Sequence, residues 1–165
     1  MTGRTFKIIT TAAGLAALAV FGATPAFSHH SFAMYDQNKV VTITGVVKQY
    51  VPQANHAEFH VYVLADDRKG LMKSKDGKTN VEWGVEMAGT AQLERQGITA
   101  QTYPVGTVIS FKVNPSRDGS NFGARVGALA KCPADPANPK KPKLPEAGKH
   151  CDSVPGATLT GGNTF

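Results

Sequence analysis

The chain has 165 residues, with 18 Lys and Arg against 12 Asp and Glu for a formal net charge of +6, 41% hydrophobic residues and two cysteines. That length leaves room for one principal core and no second large one. The mildly basic balance speaks to solubility before it speaks to nucleic acid, and two cysteines are too few for a disulfide-built scaffold.

Arg4 and Lys7 supply a positive start, Ile8 to Phe21 is an almost uncharged apolar run, and Thr24-Pro25 breaks any helix ahead of Ala26-Phe27-Ser28. This is the pattern of a secretory signal peptide over residues 1–28, with a small-x-small cleavage site. The apolar run is shorter than the ~20 residues of a spanning helix, so no transmembrane anchor is expected after cleavage. A cut after Ser28 makes His29 the first residue of a periplasmic or secreted protein, in which 16 basic residues face 12 acidic ones, a balance of +4.

From residue 29 to 130 the chain reads as strands. "KVVTITGVVKQYV" alternates, with Val41, Ile43, Gly45 and Val47 on one face. "AEFHVYVLA" does the same through Phe59, Val61 and Val63, and "NVEWGVEM" through Val81, Trp83, Val85 and Met87. Three such runs in succession predict a meander. A short helix follows over "GTAQLERQG", with Thr90 as N-cap and Gly97 as stop. Two more strands, "TVISFKV" and "FGARVGALA", flank a turn at Asp118-Gly119. Three strands, a helix and two strands is the element order of the small five-stranded barrel that binds oligonucleotides or oligosaccharides, the OB-fold. The alternative is a small open β-sandwich. No repeat or heptad interrupts this.

Residues 131–165 differ in character. Cys132 and Cys151 bracket "CPADPANPKKPKLPEAGKHC", a proline-rich and strand-free stretch that buries little by itself. A Cys132–Cys151 disulfide is expected there, and "GATLTGGNTF" reads as a disordered end. The alternative for the cysteines is a thiol site beside His150, against which the lack of Cys-x-x-Cys spacing counts.

Between residues 29 and 129, "HHSFAMYD", "VTITGVV", "NHAEF", "EWGVE", "LERQGI" and "VGTVISFKVNPSRDGS" resemble a family of small exported bacterial proteins classed as a domain of unknown function. The resemblance implies a mature chain opening on His-His-Ser-Phe, here His29, His30, Ser31 and Phe32. It also implies an Asn-Pro-His in the second strand region and an Arg-Asp-Gly loop, here Arg117, Asp118 and Gly119. The middle motif departs, since Asn55-His56 lacks the proline. The resemblance implies no activity.

An N-terminal His offers an amine and an imidazole from one residue, and His30 adds a second imidazole. Copper(II) is the divalent metal that nitrogen donors and the Irving–Williams order favour. The competing reading is a polar start that tolerates cleavage. Further ligands would come from His56 or His60. On a strand these two stand about 13 Å apart at ~3.3 Å per residue, so only one joins a given mononuclear site. Alternation places His56, Glu58, His60 and Tyr62 opposite Phe59 and Val61, and turns Glu82 and Glu86 away from Trp83 and Val85. If the second and third strands pair, one outer face carries both histidines with Glu58 and Glu86 as face ligands; the bland alternative is a solvated sheet face.

Trp83 reads as a core aromatic, Met34 as packing before it reads as a copper(I) ligand, and "SRDGSN" as a turn before it reads as an anion site at Arg117. No nucleophile elbow, phosphate loop or dinucleotide fingerprint occurs, so no catalytic residue is assigned and an enzyme is not expected. Nucleic acid is disfavoured by export and by the lack of aromatics interleaved with basic residues. Two classes remain: a periplasmic binding protein for copper or another divalent metal or small ligand, and a non-catalytic module that holds an envelope protein, glycan or membrane surface. The second would use the barrel face or the Lys140-Lys141-Pro142-Lys143 run.

Overall fold

Alternating apolar side chains build strand β1 (Val41–Val51), which buries Ile43 and Val47, and β2 (Glu58–Val63), which turns Phe59 and Val61 fully inward. Strand β3 (Glu82–Glu86) adds a fully buried Val85. These three pair antiparallel in chain order, as the meander requires. The structure is a computed structural model that describes residues 32–162. The signal-peptide reading and His29, His30 and Ser31 lie outside the described residues.

The connection from β2 to β3 is longer than a hairpin turn. Residues 64–81 form an arm with bridges Leu64–Leu71 and Lys73–Asn80. Helix α1 (Thr90–Arg95) follows β3 and drives Leu93 into the core. Its N-cap is Gly89, not Thr90; Thr90 is the first helical residue, and its hydroxyl donates to Gln53 O at 2.8 Å. Gly97 ends the helix with φ of 75°, a conformation that glycine adopts without steric cost.

Strands β4 (Val108–Pro115) and β5 (Phe122–Lys131) complete the barrel. β1 pairs with β4 and β4 with β5, both antiparallel, and β5 closes on β3 in parallel through Gly84–Phe122, Val85–Gly123 and Glu86–Ala124. The closed order β1-β2-β3-β5-β4 with a helix between β3 and β4 is the OB arrangement. The β3–β5 ladder rules out the open sandwich. Phe59, Val61, Val85, Met87, Phe111 and Leu129 fill the interior, and Trp83 packs half-buried against them.

The strand-free tail is a correction. Strands β6 (Ala134–Asp135) and β7 (Asn138–Pro142) form a hairpin, and β8 (Thr158–Thr160) pairs with β5 in the main sheet. The stretch read as a disordered end therefore holds a strand. Its partner is far away in sequence, so pairing and not local propensity decides its conformation. The Cys132–Cys151 disulfide is formed, with Cα atoms 4.7 Å apart. Around it lies a small second core of Leu64, Val108, Ala130 and Val154 on the barrel's outside. Among the described residues no helix is long and apolar enough to cross a membrane.

Candidate functional site

Strands 2 and 3 and the loops that join β1 to β2 and β4 to β5 form the ligand surface of OB barrels. In this chain the outward side chains there are acidic and imidazole-bearing. The antiparallel register sets Glu58 directly opposite Glu86, His60 opposite Gly84, and Tyr62 opposite Glu82. Two carboxylates facing across a ladder repel, so the local positive partners matter.

His60 is held between two carboxylates, with Nε2 3.0 Å from Glu58 Oε2 and Nδ1 3.2 Å from Glu82 Oε1. Both contacts are hydrogen bonds at once only when each ring nitrogen carries a proton. Lys48 donates to the other Glu82 oxygen at 2.6 Å. It can do so because β1 bulges there: Val47 pairs with Val61 and Gln49 with His60, which leaves Lys48 as the extra residue. The Lys48 ammonium is the largest influence that holds Glu82 below the usual carboxylate range, against the opposing effect of burial.

His56 sits in the loop before β2, not in the strand, yet still reaches the same face. Its Nδ1 is 3.1 Å from Glu86 Oε1. The hydroxyl of Tyr35 donates to Glu86 Oε2 at 2.8 Å. Burial, then this bond to Glu86, pushes the Tyr35 phenol well above its ordinary pKa. The Tyr35 ring stacks on Phe122 with centroids 6.5 Å apart, and Phe122 in turn covers Gly84 between His60 and β5.

Tyr35 was not singled out by the sequence; it lies 51 residues from the carboxylate it touches. The hint available was its place in the "HHSFAMYD" motif. Met34 O accepts from the Arg117 amide at 2.9 Å, Tyr35 O accepts from Arg117 Nε at 3.1 Å, and Asp36 N–H donates to Pro115 O at 2.8 Å. Arg117 thus anchors the segment before β1 to the β4–β5 turn. The turn itself is as expected, with Gly119 at φ of 79° and Ser120 N–H donating to Asp118 Oδ1. Met34 is 53% exposed, which corrects the packing role read for it.

The described parts of the quoted motifs therefore converge: Tyr35 from the first, His56 from the second, Glu86 from the third strand and Arg117 from the turn. His56 and His60 address different carboxylates. Among the described residues no three His, Cys, Asp or Glu side chains are gathered as a ready metal-binding group. The histidines and Glu58, Glu82 and Glu86 are instead spent on one another. Chemically, the face presents carboxylates already paired with imidazoles and Lys48. It defines a closed OB-type barrel whose ligand surface carries imidazole–carboxylate pairs.

A family of unknown function (DUF6152) matches residues 17–125, and the chain belongs to that family. The match ends inside β5, before the disulfide tail. No curated protein and no solved structure matches the chain.

Proposed function

We propose that this protein is an exported, non-catalytic cation-binding module, with copper(II) as the preferred ion. The observation that carries this reading is the direct opposition of Glu58 and Glu86, flanked by His60 and His56, on the ligand surface of the barrel. A divalent cation between the carboxylates would relieve their repulsion and could take an imidazole nitrogen as a further ligand. An imidazole nitrogen beside carboxylate oxygens suits copper or zinc better than calcium, which takes oxygen ligands alone. His29 and His30 are a second donor set, which would chelate through amine and imidazole without help from the fold.

The test is calorimetric titration of the processed protein with copper(II) in a weakly competing buffer. Glu58→Gln and Glu86→Gln should each weaken binding more than tenfold, over ~1.4 kcal/mol. One Gly added before His29 removes the terminal amine from its chelate and separates the two donor sets. Affinities unchanged in all three variants would overturn the reading.

The second reading, contact with an anionic envelope surface, draws on Lys140, Lys141 and Lys143, all of them exposed on or beside β7. It expects binding to vesicles with anionic headgroups that is lost on neutralising these lysines and indifferent to Glu58.

A further inference from the structure

A run of three hydrogen bonds fastens the tail where it crosses β1 and β4. The Cys151 amide donates to Ser110 Oγ at 2.8 Å, Ser110 Oγ lies 2.7 Å from Thr44 Oγ1, and Thr44 Oγ1 lies 2.7 Å from His150 Nδ1. Thr44 and Ser110 are 2% and 3% exposed. Each hydroxyl has one proton to give. With His150 neutral and Nδ1 bare, every direction agrees: Ser110 donates to Thr44, Thr44 donates to His150, and the Cys151 amide fills an acceptor site on Ser110.

Protonated imidazole has no acceptor nitrogen, so the run must reverse. Thr44 then donates to Ser110, Ser110 accepts twice, and the Ser110 proton is forced toward another acceptor in a buried place. A buried polar group that loses its partner is costly, whereas the neutral arrangement costs nothing of the kind. The groups facing the ring are Arg68 and Lys112 as cations and Asp152 and Asp66 as anions. Burial first, and Arg68 next, hold the imidazole below its ordinary pKa.

His150 is also the pivot of its neighbourhood. Before it, Lys149 O accepts from Arg68 Nε at 3.2 Å and from Arg68 Nη2 at 2.6 Å, and Gly148 N–H donates to Asp66 O at 3.0 Å. After it, His150 O accepts from the Ser153 amide at 3.0 Å and from the Ser153 hydroxyl at 2.7 Å, which shapes the turn that seats Val154. Beneath the tail lie Leu64, Val108 and Ala130, with Val46 beside them.

We propose that residues 144–157 form a pH-responsive strap over the β1–β4 flank, closed while His150 accepts from Thr44, opened by protonation of His150, and tethered throughout by the Cys132–Cys151 bond. The lowered pKa sets the direction. The closed strap binds fewer protons than the open one, so its hold is complete above the ~6.5 of a free imidazole and weakens as pH falls from there toward the lowered value. The tether makes the opening reversible, because Cys151 cannot leave Cys132. Acidification would then expose an apolar flank without unfolding the barrel.

The experiment is hydrogen exchange of the full mature chain at about pH 7.5 and about pH 5, either side of the free imidazole value, with rates corrected for intrinsic pH dependence. The amides of Ser153, Val154 and Ala157 report on the strap, and those of Val61 and Phe111 report on the barrel. In the wild type, strap opening should rise about tenfold on acidification while the barrel stays protected. His150→Gln should remove the pH response. Thr44→Val, which keeps the imidazole but removes its donor, should flatten it as well. The barrel amides show whether each variant has folded. A strap indifferent to pH in the wild type, or a response that survives in folded His150→Gln, would overturn the proposal.

Discussion

The two outer flanks of the barrel are pleated in the same way and finished in opposite ways. On the β2–β3 flank the outward positions are Glu58, His60, Glu82 and Glu86, each partly exposed and paired by contacts of 2.6 to 3.2 Å. On the β1–β4 flank the outward positions are Thr44, Val46, Val108 and Ser110, and the tail lies over them with its own apolar cluster. The first flank keeps charge near water and available to a ligand. The second removes small polar groups from water and satisfies them with hydroxyls and one imidazole. Burial is therefore concentrated on one side and accessible charge, the proposed binding surface, on the other, which predicts that the two can be perturbed independently.

The hardest test of that separation is to remove the disulfide. Replacing both Cys132 and Cys151 with Ser should cost roughly 3 kcal/mol by the loop-entropy argument. Denaturant unfolding would measure the loss, and copper titration of the folded fraction should be unchanged. A parallel loss of affinity would show that the flanks are coupled.

A smaller effect is expected from the other side. A Cβ at Gly84 would run into the Phe122 ring, whose edge lies directly over that position. Gly84→Ala should cost about 1–3 kcal/mol, the usual penalty for overpacking. It should also disturb the row from His60 to Phe122 while leaving tail exchange as it was.

The smallest effect lies in alkali, where one phenol serves the β2–β3 flank and another ties the core to the tail. Tyr35 donates to Glu86, and Tyr103 donates to Thr160 of β8 at 2.7 Å. Both phenols are raised above the ordinary value, chiefly by burial. Burial thus favours the neutral form of both, reinforced at Tyr35 by Glu86 and opposed at Tyr103 by Thr160. The associated stability is fully present below the unfolded pKa of ~10 and is lost as pH rises from there through the raised folded values. Unfolding measured from about pH 9 to about pH 11 should show this decline, reduced in part by Tyr35→Phe and in part by Tyr103→Phe. An unaltered slope in both variants would assign the decline to other groups.

The barrel was legible because period-two alternation and turn residues act locally. Phe59, Val61, Val85 and Val47 declared their face, Gly97 and Gly119 declared their turns, and two cysteines in a stretch poor in core residues declared their bond. The pairing of β2 with β3, and with it the shared face of His60, Glu58 and Glu86, followed from the same alternation. What stayed hidden depends on distant partners. β8 has no alternation to announce it and exists because β5 offers a ladder. Tyr35 reaches Glu86 only once the barrel is closed and Arg117 holds the backbone in place. His56 reaches its carboxylate from a loop, where strand phase carries no information. The role of His150 could not be read from a lone imidazole beside a cysteine, since Thr44 and Ser110 come from two different strands.

The pairing of β8 has one more physical meaning. On the side away from β4, β5 takes β3 in parallel along residues 122–124 and β8 in antiparallel along residues 129–131. Barrel closure alone would leave the second half of that border with unused amides and carbonyls, a template on which another chain could add a strand. The three residues of β8 cover it from within the same molecule. Gly127, at φ of 71°, bends the strand between the two partners. The tail thereby occupies backbone on which a strand of another chain could otherwise pair, a consequence separate from its cover of the β1–β4 flank.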